Sequence, residues 1–220
     1  MSSRVREGDP AWLRDVRAVL FDLDGTLVDS DAAVERAWYR WAGEYGVERH
    51  RLELVGIHGR PAEQTVSLLD PALDEETVRE RAKRQMGFQY DDLADLKRCA
   101  GATELLGTLE RLQLPWAVVT SCDRRLAELR LGAVGIEPPL VITSEDVVVG
   151  KPAPDCFLRA AELVDIPVER CLVVEDSEPG LEAGRRAGAR TAALRGLSGD
   201  LTIVDLGSLA RLLADARQLL

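Results

Sequence analysis

Asp22 and Asp24 lie two residues apart directly after an apolar run at residues 16–21. If that run is a strand, the spacing turns both carboxylates toward the same pocket. Three further apolar runs end in polar residues in the same way. Residues 116–119 lead to Thr120-Ser121, residues 140–142 lead through a short loop to Gly150-Lys151-Pro152, and residues 171–174 lead to Glu175-Asp176-Ser177. Carboxylates, hydroxyls and a lysine gathered like this suit phosphoryl transfer. One carboxylate can attack phosphorus and form an aspartyl-phosphate, while its neighbour protonates the leaving oxygen and then activates water. Asp22, Asp24 and Asp176 packed together repel one another unless a cation sits between them. Mg²⁺ is the natural choice, because it takes carboxylates, water and phosphate oxygens in an octahedral shell. Lys151 adds positive charge beside the transferring group. Thr120 and Ser121 precede a helical stretch, where a hydroxyl and free backbone N–H groups hold a phosphate oxygen.

The elements that position these residues are legible as a pattern. The apolar runs at 16–21, 116–119, 140–142, 171–174 and 191–194 are rich in Val and Leu without polar alternation, as strands covered on both faces are. Helical stretches at 101–112, 123–131, 154–164 and 178–187 lie between them. Strands alternating with helices predict an α/β, Rossmann-like, doubly wound parallel sheet, whose ligands bind beyond the carboxyl ends of the strands. From about residue 29 to 98 the rhythm breaks, and helical periodicity appears without a convincing strand. Val34, Trp38, Trp41 and Tyr45 recur at helical spacing and read as packing, and Asp74 reads as the cap of a charged helix. The expected organisation is an α/β core at 1–28 and 99–220 with an α-helical cap inserted at 29–98, the linkers lying near 27–30 and 96–102.

Composition narrows the classes. The 220 residues carry a net charge of −10, which argues against a nucleic-acid partner held by a basic surface. No apolar run is long enough to span a bilayer, and the first residues lack the apolar stretch of a signal peptide, so a cytoplasmic protein without a membrane partner is expected. The four cysteines have no CxxC spacing, which predicts free thiols. A monomer is the default.

The segment FDLDGTLVDS resembles the first motif of the haloacid dehalogenase (HAD) superfamily of hydrolases, VVTS its second, GKPAPDCF its third and VVEDSEPG its fourth. All four occur in order along essentially the whole chain. The resemblance implies that Asp22 is the nucleophile and a metal ligand, and that Asp24 is the general acid/base, offering its backbone carbonyl to Mg²⁺. It implies that Thr120 and Lys151 bind phosphate, and that Asp176 ligates the metal with Glu175 beside it. Asp24 favours phosphate esters over halides and phosphonates, since neither dehalogenases nor phosphonatases carry an acid at that place. The helical insertion resembles the family's α-helical cap, which closes over substrate. Its segment Gly56-Ile57-His58-Gly59-Arg60-Pro61-Ala62 is similar to a loop of sugar-phosphate and glycerol-phosphate phosphatases, so Ser121, His58, Gly59 and Arg60 are expected to contact substrate. The expected substrate is a small phosphorylated metabolite, a sugar or polyol phosphate.

Two alternatives stay open at this level. A β-phosphoglucomutase-like mutase is similar in core and cap, but those enzymes carry a His about where Val34 stands. A non-catalytic relative that binds a phosphometabolite is the other, although none of Asp22, Asp24, Lys151 and Asp176 is lost. One further expectation concerns Cys122, beside Thr120-Ser121. It reads as a small residue filling space; the alternative is a reactive thiol whose pKa a helix N-terminus lowers.

Overall fold

The structure, a computed structural model, describes residues 11–57 and 61–218. A short 3₁₀ helix, Ala11–Asp15, leads into β1 (Ala18–Phe21), and the loop after it ends in β2 (Val28–Asp29). Four helices follow: α1 (Asp31–Tyr45), α2 (Arg49–Val55), α3 (Ala62–Leu69) and α4 (Glu75–Gly87). The chain returns through β3 (Lys97–Arg98) to α5 (Ala102–Arg111), β4 (Trp116–Val119), α6 (Arg124–Val134) and β5 (Val141–Ile142). It finishes with α7 (Asp155–Leu163), β6 (Cys171–Glu175), α8 (Glu178–Ala187), β7 (Arg190–Ala193), β8 (Leu201–Thr202) and α9 (Leu206–Gln218).

Six strands form one parallel sheet in the order β5-β4-β1-β6-β7-β8. The strand side chains alternate between two cores, as the two-residue period of a strand requires. Val19, Phe21, Val118, Leu172 and Val174 pack with α5, α6 and α9, whereas Ala18, Leu20, Ala117, Val119, Cys171 and Val173 pack with α7 and α8. Both faces are therefore covered, which explains the unbroken apolar runs. Reversal of strand order between β1 and its neighbours β4 and β6 opens a crevice at their carboxyl ends.

Helices α1–α4 enclose an apolar cluster of their own, built on Trp38, Trp41, Leu52, Val66, Leu69 and Phe88. Trp41 is fully buried and its indole Nε1 donates to the Arg81 carbonyl at 2.9 Å, so the aromatic stripe is packing. Asp74 caps α4 by accepting from Thr77 N at 2.8 Å, an interaction worth about 1 kcal/mol. The sequence reading found no strand in this region. The structure places β2 and β3 at its edges, paired antiparallel as Val28↔Arg98 and Asp29↔Lys97. Strands of two residues are too short to show a period, and β8 escaped notice for the same reason. β1 begins at Ala18 rather than Val16, because the 3₁₀ helix and its exit occupy the preceding residues. Among the described residues no helix is long and apolar enough to cross a membrane.

Candidate active site

Asp22 follows β1 directly, its backbone N–H donating to Val174 O at 3.0 Å and so extending the sheet by one residue. The chain then turns sharply, with Gly25 N donating to Val28 O at 2.7 Å and Leu27 N to Leu23 O at 2.9 Å. Gly25 has φ +83°, and a Cβ there would meet Asp176 Oδ2 at 2.1 Å, so glycine is needed both for the turn and for the approach of the fourth motif. Asp22, Asp24, Thr120, Ser121, Lys151 and Asp176 all line one cleft of about 110 Å³. That is small beside the ~300–1,000 Å³ of sites for drug-sized molecules.

Lys151 is the centre of the charge arrangement. Its ammonium donates to Asp22 Oδ1 at 2.7 Å, to Glu175 Oε1 at 2.6 Å and to Val119 O at 2.9 Å, which uses all three of its donors. Burial alone would lower the Lys151 pKa, but Asp22 and Glu175 outweigh it and raise it. Glu175 is fully buried, and its Oε2 accepts from Asp176 N at 3.1 Å, Ser177 N at 3.2 Å and Ser177 Oγ at 2.9 Å. It therefore holds the lysine and the turn into α8 at once. Gly180 admits it there, since a Cβ at that position would lie 1.8 Å from Glu175 Oε1.

Oxygens of Asp22, Glu175 and Asp176 lie within 4.8 Å of one another. Burial pushes the Asp22 carboxyl well above the usual range, against the pull of Lys151, with Glu175, Asp176 and Asp24 adding to the rise. Burial and then Glu175 push Asp176 up to about 7. Crowded, buried, oxygen-only carboxylates of this kind fit a hard divalent cation such as Mg²⁺. Asp22 gives one oxygen to Lys151 and Asp176 gives one to Arg195 Nε at 2.8 Å; the second oxygen of each makes no hydrogen bond among the described residues.

Asp24 is held from two sides. Ser30 Oγ donates to its Oδ1 at 2.6 Å, and Arg130 Nη1 donates to its Oδ2. Thr120 Oγ1 accepts from Cys122 N at 3.2 Å and lies 3.1 Å from Cys122 Sγ. Cys122 follows the space-filling reading and not the reactive-thiol alternative. Asp123, not Cys122, caps α6, and burial pushes the Cys122 thiol up to about 12, with Asp24 adding to the rise. The helix N-terminus does not lower this pKa, because removal from water outweighs it. His58, Gly59 and Arg60 lie outside the described residues; their neighbours Ile57, Pro61 and Ala62 line the cleft. His50 is exposed.

Two residues of the site escaped the sequence reading. Arg195 stands one residue beyond Leu194, the last of the final apolar run read, and joins Asp176 to Asp31 at the start of α1, the latter at 2.8 Å. Its signal was available, since it follows a strand of the same sheet as the other site residues. Arg130 falls on the buried face of α6 with Leu126, Ala127 and Leu131. A cation in an apolar stripe is the mark that could have found it.

Known proteins are similar to this chain. Hexitol phosphatase A of Escherichia coli is 36% identical over 179 residues, covering 81% of this chain and 82% of that protein. 2-Deoxyglucose-6-phosphate phosphatase 1 of Saccharomyces cerevisiae is 31% identical over 208 residues, covering 86% of this chain and 84% of its own length. The crystal structure of β-phosphoglucomutase from Clostridium difficile superposes with a TM-score of 0.79 over 93% of this chain and 98% of that one; at 16% identity it speaks for the fold. A profile of the haloacid dehalogenase-like hydrolases matches residues 16–188, from the approach to β1 through the end of α8. With its four strand-end motifs brought to one cleft, the chain belongs to the haloacid dehalogenase-like hydrolases and is an enzyme of that family.

Proposed function

We propose that this enzyme is a Mg²⁺-dependent phosphatase that hydrolyses a small sugar or polyol phosphate through an aspartyl-phosphate at Asp22. The observation that carries the reading is the Lys151 ammonium on Asp22, in a cleft that Asp24, Thr120 and Asp176 also line. The activities for which those relatives are named, on hexitol and 2-deoxyglucose phosphates, point to the same substrate class.

In this scheme Asp22 attacks phosphorus, the bond from phosphorus to the ester oxygen breaks, and Asp24 supplies the proton to that oxygen. Water then attacks the phosphorus of the acyl phosphate, Asp24 takes its proton, and the Asp22 carboxylate leaves. Both Asp24 oxygens accept hydrogen bonds here, which is the carboxylate form that the second half needs. For the first half the Ser30 hydroxyl can rotate and accept from protonated Asp24. Lys151 keeps Asp22 oriented and offsets charge on the transferring group. Asp22 and Asp176 would hold Mg²⁺, Glu175 bracing them from Lys151. When bound, the ion neutralises the carboxylates and polarises the phosphoryl oxygens. Helices α1–α4 act as the cap, which excludes water and makes residues 29–98 the unit of specificity.

Val34 lines the cleft and carries no group able to move a proton between sugar hydroxyls. This supports hydrolysis over isomerisation. The test is phosphate release from a panel of sugar and polyol phosphates with Mg²⁺ and with EDTA, beside Asp22→Asn. Release that needs Mg²⁺ and is lost in the variant supports the scheme; an isomeric phosphate as the product, or release that survives in the variant, overturns it.

A further inference from the structure

A chain of polar groups runs from Asp24 across to helix α4, and its far end has no partner among the described residues. Arg130 Nη1 donates to Asp24 and its Nη2 donates to Gln89 Oε1. Gln89 Nε2 donates to Gln85 Oε1 at 2.9 Å. Arg130, Gln89 and Gln85 all line the cleft, and all are buried, Gln85 being 1% exposed. Gln85 Nε2 is buried and makes no hydrogen bond among the described residues.

The direction of the chain leaves no freedom in how the amides are set. A guanidinium has donors and no acceptor, so Gln89 must turn its oxygen to Arg130. Its amide nitrogen then faces Gln85, which must answer with oxygen. The remaining group is an N–H donor. A glutamine flip, the usual remedy for an unpaired amide, would set two nitrogens against each other. The cleft has oxygen-bearing side chains on its wall, Asp24, Ser30 and Ser121 among them, yet among the described residues none accepts from Gln85 Nε2. A buried donor without a partner is costly and rare, and inside a ligand cleft it marks a place where the ligand provides the acceptor.

We infer that Gln85 is a specificity-determining residue, whose Nε2 donates a hydrogen bond to a hydroxyl or carbonyl oxygen on the carbon skeleton of the substrate. The preferred ester is thus one with an oxygen set away from the phosphate, not an alkyl or aryl phosphate. This rests on the phosphatase reading above and narrows it. A site built to bond an oxygen rejects the analogue lacking it, because the donor is again left unpaired.

The test compares kcat/KM for phenyl phosphate, which has no oxygen beyond the phosphate, with that for the best turned over of sorbitol 6-phosphate, glucose 6-phosphate and glycerol 3-phosphate, each with Mg²⁺. In Gln85→Met the value for the hydroxylated ester falls about tenfold further than that for the aryl ester, the effect of one hydrogen bond. Gln85→Leu, which likewise presents no hydrogen-bonding group, loses the preference too. Among monodeoxy analogues of the best substrate, one position costs wild type about tenfold and costs Gln85→Met nothing further. Equal losses on both esters, or a preference retained in Gln85→Leu, overturn the assignment. Wild type that releases phosphate from none of these esters overturns the phosphatase reading itself, and this inference with it; wild-type turnover with unchanged selectivity in both variants overturns the inference alone.

Discussion

Lys151 places its ammonium 2.7 Å from Asp22 Oδ1, across 129 positions of sequence, and both side chains are buried. The pair ties the third motif to the first, and Glu175, at 2.6 Å from the same nitrogen, adds the fourth. Stability and chemistry meet at this one contact, so substitutions on its two sides are expected to behave differently.

Asp22→Asn keeps an Oδ1 acceptor for Lys151 but removes the attacking carboxylate. Phosphate release is expected to fall on the order of 10³-fold or more, while the unfolding midpoint in urea stays close to that of wild type. A variant that unfolds readily would mean that the loss of activity reports folding and not the nucleophile.

Lys151→Met leaves the Asp22 and Glu175 carboxylates facing each other in the interior without their cation. Removing one member of a buried ionic network costs about 3–5 kcal/mol. The loss should be larger at pH 8 than at pH 5, because Asp22, whose pKa burial already raises, can take a proton at the lower pH and relieve the repulsion. Urea unfolding at the two pH values measures this, and an equal loss at both would count against it.

Asp176 makes the metal-free protein pH-dependent. Its ordinary pKa is 3.8 and the fold raises it to about 7. A raised pKa contributes stability that is fully present below the unfolded value and is lost as pH rises through the folded one. In EDTA the melting temperature should therefore decline between about pH 4 and pH 7 on account of this group. Mg²⁺ needs the carboxylate form, so its stabilising effect should be greater at pH 8 than at pH 5. Thermal melts with and without Mg²⁺ give the comparison; a shift independent of pH would argue against Asp176 as a ligand.

The thiols should be inert in the folded protein. Burial pushes Cys122 and Cys99 up to about 12 and Cys171 to about 11, and raises Cys156 as well. At pH 7.5 iodoacetamide should label the native chain slowly and the denatured chain at all four cysteines. Activity should survive alkylation under native conditions. Rapid loss that Cys122→Ala abolishes would restore the reactive thiol set aside above.

The sheet was readable because strands buried on both faces leave apolar runs, and the residues closing four of those runs meet in one cleft. What the sequence hid has two physical origins. β2, β3 and β8 are two-residue strands, too brief for alternation to show. Arg130 and Gln85 act through contacts that only folding makes, the first reaching Asp24 over 106 positions. Yet both carried a trace: each is a polar residue on the buried face of its helix, Arg130 among Leu126, Ala127 and Leu131, and Gln85 with Val78 and Ala82. Arg195 was legible by the rule that found the other motifs. α9 was legible too, since Leu206, Leu209, Ala210 and Leu213 mark one helical face.

The ribbon of β2 and β3 has a consequence for how such enzymes diversify. Departure from the sheet region and return to it pair residue against residue, Val28 with Arg98 and Asp29 with Lys97, and the last pair also meets through its side chains at 3.3 Å. Closing a longer segment between ends clasped in this way costs only about 0.6 kcal/mol more for each doubling of its length. Changes in length among the helices between the two strands are therefore expected to disturb the strand ends little.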